Sequence, residues 1–74
     1  MKRLINNITI DPKVRFGKPV IIGTRVPVDV VVGKLAGGME ITEVMQEYAL
    51  TRQQVQAALH YAAHLVEQEV IALT

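Results

Sequence analysis

The chain contains no cysteine, no serine and no tryptophan, and its only aromatic residues are Phe16, Tyr48 and Tyr61. Without cysteine it can form neither a disulfide nor a thiolate metal site. Without serine or cysteine the commonest nucleophiles are missing, and the threonines have no His-and-acid company of the triad kind. We therefore expect a protein that is not an enzyme and needs no cofactor. Long apolar runs are also absent. Asn6 and Asn7 interrupt whatever Leu4-Ile5 begins, so Met1-Lys2-Arg3 does not read as a signal peptide. No stretch approaches the roughly 20 apolar residues that span a bilayer. The expectation is a cytoplasmic protein with no membrane contact.

What is present is aliphatic: half of the 74 residues are hydrophobic. A chain of this size makes one domain, and a core so small rarely supplies more than about 3–5 kcal/mol. With no covalent or metal staple, association into a homodimer is the expected route to stability.

Charge is divided along the chain. Residues 1–25 hold Lys2, Arg3, Lys13, Arg15, Lys18 and Arg25 against the single acid Asp11, a net +5. From Val26 onward Lys34 and Arg52 face Asp29, Glu40, Glu43, Glu47, Glu67 and Glu69, a net −4. A basic segment of this kind meets phosphate or an acidic partner.

The pattern divides residues 1–27, a basic β arm, from residues 28–74, a helical bundle. In the arm, Asn7 to Ile10 alternates as a short strand and ends at the turn pair Asp11-Pro12. Gly17-Lys18-Pro19 turns again, and Val20-Ile21-Ile22 is a β-branched run stopped by Gly23-Thr24. Valine content alone would make Val26–Val32 a strand. Val28, Val31, Val32, Leu35 and Ala36 nevertheless follow the spacing of one helical face, with Pro27 ahead of them, Asp29 in the first turn and Gly37-Gly38 as a stop. A second helix is predicted from Ile41 to Tyr48. A third begins after Thr51, where Thr51 and Gln54 form a capping box and Leu50 with Val55 a hydrophobic staple. Its apolar stripe runs through Val55, Ala58, Leu59, Ala62, Val66 and Val70. The outcome is a mainly α fold: a tri-helical, homeodomain-like helix-turn-helix core with an N-terminal β-strand arm or hairpin.

Opposite that stripe lie Gln53, Gln56, His60, His64 and Glu67. Residues at the front of a second helix read base edges in helix-turn-helix proteins, and Gln is suited to adenine, Arg to guanine or phosphate. Arg52, Gln53, Gln56 and His60 are thus candidate base-reading residues, with Lys13, Arg15 and Lys18 as phosphate contacts. The same face could equally be solvated, and the acidic helical body argues against DNA unless the arm lies beside it. His60 and His64 are four apart, but Tyr61 stands where a zinc-protease motif needs Glu, so no metal is expected. Val20, Ile21 and Ile22 with Lys18 and Arg25 form a candidate partner-binding edge, by strand addition. The glycines read as turn formers. The apolar end Val70-Ile71-Ala72-Leu73 suggests either a second contact surface or a frayed last turn.

The segments Asp11-Pro12, Gly17-Lys18-Pro19-Val20-Ile21-Ile22-Gly23-Thr24-Arg25-Val26-Pro27-Val28, Gly38, Glu43 to Tyr48 and Val55 to Ala62 resemble the bacterial domain-of-unknown-function 433 family. The resemblance covers nearly the whole chain. It implies a helix-turn-helix-like fold with a β arm and no catalytic residues, and it suggests an antitoxin partnered with a nuclease-like toxin. Tyr48-Ala49 stands where that family usually has Tyr-Pro, which leaves the turn less rigid. Two functions are thus expected: an antitoxin-like DNA-binding regulator, or a protein-interaction module that uses its strand edge and arm without touching DNA.

Overall fold

Helices form where apolar residues recur on one face, even where local propensity opposes them. The computed structural model describes the backbone at residues 3–5, 7–13 and 17–73, and side chains over 7–13 and 17–69. Three short strands come first: β1 (Arg3–Ile5), β2 (Ile8–Ile10) and β3 (Val20–Ile21). They form an antiparallel sheet in the order β1-β2-β3. Ile5 pairs with Ile8, so β1 and β2 are joined by a two-residue connection. Its second member, Asn7, sits at φ 67°, a left-handed conformation that asparagine tolerates. Ile8 pairs with Ile21 and Thr9 with Val20.

Helices follow at α1 (Val28–Ala36), α2 (Ile41–Tyr48) and α3 (Arg52–Leu73). Valine-rich α1 is a helix because that conformation buries Val28 and Val31 and half-buries Val32 and Leu35 against the core; Ala36, expected on the same face, is exposed. Tertiary burial here outweighs the few tenths of a kcal/mol per residue by which valine disfavours helix. Gly38, at φ 103°, ends it, with its N–H donated to the Leu35 carbonyl at 3.1 Å. In α2 the Glu43 side chain accepts the Glu40 N–H at 3.2 Å. Ala49 then takes φ 54°, with its own N–H and that of Leu50 both directed to the Met45 carbonyl. This left-handed residue redirects the chain over the three residues 49–51 into α3. Leu50 and Val55, the staple pair, are both buried in the core.

The N-terminal β arm packs directly on the helices. Ile8 and Ile21 are fully buried in the same cluster as Val31, Val44, Val55 and Ala58, so the sheet forms one wall of the helical core. Lys13, Lys18 and Arg25 are exposed on the outside of this layer. The sequence pattern also missed β1, whose three residues lack turn signals of their own.

Candidate functional site

The polar side of α3 forms one wall of an open groove of about 660 Å³. Gln53, Gln56, His60, His64 and Glu67 line it at successive spacings of three, four, four and three, and Asn7 faces them from the β1–β2 connection. Ala57 and Tyr61, both largely buried, line it as well. Three sequence-chosen residues, Gln53, Gln56 and His60, are therefore brought together, all exposed. Arg52 is exposed at the start of the same helix, outside the groove lining. Asn7 and Tyr61 were not legible as site residues. The only signal was that a strand connection must pack somewhere near the longest helix.

The start of α3 is held firmly. The Thr51 hydroxyl accepts the Gln54 N–H at 3.1 Å, and the Gln54 side-chain carbonyl accepts the Thr51 N–H at 2.8 Å. The orphan amides of the first turn are thereby partly satisfied, and Arg52, Gln53 and Gln56 project from a fixed helix end.

The basic residues are placed differently. Lys18 is exposed and pairs with Asp29 at 3.1 Å, at the start of α1. Lys13 is exposed, and its N–H is donated to the Asp11 carboxylate at 2.9 Å. Among the described residues no hydrogen bond or ion pair joins Lys13 or Lys18 to α3. Arg15 lies outside the described residues. No Lys or Arg lines the groove among the described residues, and Glu67 adds a negative charge to it.

The expected partner-binding edge is corrected. Val20 and Ile21 point into the core. The outer side of β3 is taken by the chain itself: Val20 bridges to Pro27, the Ile21 N–H is donated to the Val26 carbonyl at 3.1 Å, and the Val28 N–H to the Pro19 carbonyl at 2.9 Å. An added strand would find these groups occupied. Ile22 and Arg25 do remain exposed, on the turn that carries the chain back along β3. Thr24 pins that turn, its hydroxyl donating to the Ile21 carbonyl at 2.8 Å and accepting the Val26 N–H at 3.0 Å. Among the described residues there is no cluster of three or more His, Cys, Asp or Glu able to hold a metal, and no helix long and apolar enough to cross a membrane.

Fold and site together define a tri-helical helix-turn-helix domain walled on one side by a small antiparallel sheet. The chain belongs to the DUF433 family, proteins of unknown function, which it matches over residues 8–62. It is similar to a DUF433 member from Anabaena variabilis at 36% identity and a TM-score of 0.77, covering 85% of this chain and 63% of that one. It is also similar to Rv2018 from Mycobacterium tuberculosis at 35% identity and a TM-score of 0.65, covering 73% of this chain and 25% of that one. The chain thus spans under two thirds of the first structure and a quarter of the second. No curated protein matches it.

Proposed function

We propose that the protein is a DNA-binding regulator of the antitoxin type, a cytoplasmic homodimer that reads DNA with the front of α3. The observation that supports this is the junction of α2 and α3: a three-residue turn, then a capped helix with Arg52, Gln53, Gln56 and His60 exposed along it. Side chains in this position reach base edges when such a helix enters a major groove. Phosphate neutralisation would have to come from outside the groove, because its own lining is neutral to acidic. Arg52, Lys13, Arg15 and Lys18 are the residues assigned to it. The nuclease-like toxin partner rests on the family resemblance alone.

The test is fluorescence anisotropy with duplex DNA from upstream of the gene, over a range of salt. Each phosphate contact contributes a slope of about −0.9 in log K against log salt, so three contacts per subunit in a dimer give about −5. A folded protein without salt-sensitive binding to that DNA overturns the reading. For the partner, a nuclease-like product of the neighbouring gene should copurify at fixed stoichiometry.

A further inference from the structure

Helix α3 is out of proportion to the domain that holds it. Its 22 residues reach roughly 33 Å at 1.5 Å per residue, whereas α1 and α2 have nine and eight. Among the described residues its last buried one is Tyr61, and residues 63–69 are all exposed. Four large hydrophobic residues are exposed among those described, and three of them lie on α3: Leu59 (37%), just before Tyr61, and Leu65 (42%) and Val66 (58%) beyond it. Leu59 and Val66, with half-buried Ala62 between them, make a strip along one side of the helix. On the helical repeat the strip lies roughly 120° round from Gln56, His60 and Glu67, so it is a surface separate from the groove.

The chemistry around the strip narrows what can cover it. After Arg52 the sequence has no Lys or Arg, and its charged residues are Glu67 and Glu69. The strip therefore offers no cation to nucleic acid or anionic lipid. The remaining occupant is an apolar protein surface. The spacing indicates which one. The strip residues Leu59, Ala62 and Val66 are continued in the sequence by Val70 and Leu73, at intervals of three, four, four and three. This pattern reads the same in both directions and is centred on Val66, and α3 runs through all five positions.

We propose that the distal half of α3 is the homodimer interface, paired antiparallel with the same helix of a second copy about a two-fold axis at Val66. Position 59 of each copy then meets position 73 of the other, 62 meets 70, and 66 meets itself. This is a self-complementary contact, and it closes at two copies. Ala62 allows close helix approach next to the axis. The paired length, residues 59–73, is roughly 22 Å. Such an interface falls at the small end of stable ones, near 1,200 Å² in total or below, so a reversible, concentration-dependent dimer is expected. The inference supplies the dimer that the DNA reading requires, but its test involves no DNA, so either can fail without the other.

The absence of native cysteine makes the geometry directly testable. Under mild oxidation V66C should give a disulfide-linked dimer, and L59C alone should not. A mixture of L59C and L73C chains should give the mixed dimer. V66E, at a site already 58% exposed, should keep its helical circular dichroism yet raise the dimer dissociation constant about tenfold or more in sedimentation. The proposal is overturned if the wild type stays monomeric up to about 1 mM, a free energy of about −4 kcal/mol, if L59C and V66C both link to themselves as a parallel pair would, if V66C does not link, or if folded V66E dimerises unchanged.

Discussion

Thr51 and Gln54 each satisfy the other's backbone amide, at 3.1 and 2.8 Å, at the point where the helix-turn-helix passes from its turn into α3. The two bonds serve stability and the site together, because the same first turn carries Arg52 and Gln53. Thr51→Ala should cost about 0.5–2 kcal/mol, read as a fall of several degrees in melting temperature. Gln54→Ala should cost less, and the double variant should lose less than the sum of the singles. Strict additivity in that cycle would show the two bonds to be independent.

The turn between β3 and α1 depends on one hydroxyl. Thr24→Val keeps the shape but leaves the Val26 N–H without its acceptor. A loss of about 1–3 kcal/mol in urea unfolding is expected. No change would mean that water replaces the hydroxyl at no penalty.

Neighbouring residues Ile21 and Ile22 should respond oppositely to truncation. Ile21 is fully buried beneath the helices, whereas Ile22 is 40% exposed. Ile21→Ala should cost about 2–5 kcal/mol and lower the melting of the helical signal as a whole, and Ile22→Ala should change stability by about 0.5 kcal/mol or less. Helices that melt unchanged in Ile21→Ala would show that the sheet detaches from the bundle.

Ala49 occupies the left-handed region at the end of α2. Replacement by glycine removes a steric penalty of about 1–2 kcal/mol and adds a smaller entropic loss on folding. Ala49→Gly should therefore stabilise slightly, raising the urea midpoint. Ala49→Pro should be strongly destabilising, since proline can reach neither this φ nor the bond to the Met45 carbonyl.

If DNA is bound as proposed, its two kinds of contact should separate. Gln53→Ala with Gln56→Ala should relax preference for the upstream sequence and leave the salt slope nearly intact, because base contacts specify and phosphate contacts position. Lys13, Arg15 and Lys18 changed to Glu should flatten the slope across all sequences. Folding should change little, since the Lys18–Asp29 pair lies at the surface with both side chains 60% exposed, where such pairs contribute about 0–1 kcal/mol. A large drop in melting temperature would give these residues a structural role instead.

Several features were legible in the residues because their causes are local. The bounds of α2, the capping box at Thr51, the stop at Gly37-Gly38 and the polar side of α3 follow from spacing within a turn or two, a range over which sequence and geometry are tied by the helical repeat. The valine-rich α1 was readable only through periodicity, since its propensity pointed to strand. Other features depended on what packs against what. Nothing near Ile8 or Ile21 in sequence reveals that they will share one buried cluster with Val44 and Val55, because those contacts are long-range in the chain. The edge of β3 looked free until Val26 and Pro27 folded back along it. Ala49 is forced into a left-handed conformation by the docking of α2 on α3, at a position where alanine itself has no such preference. The groove exists only because the β1–β2 connection brings Asn7 opposite α3. Burial and long-range hydrogen bonds are properties of the assembled chain, and there tertiary packing decided the outcome.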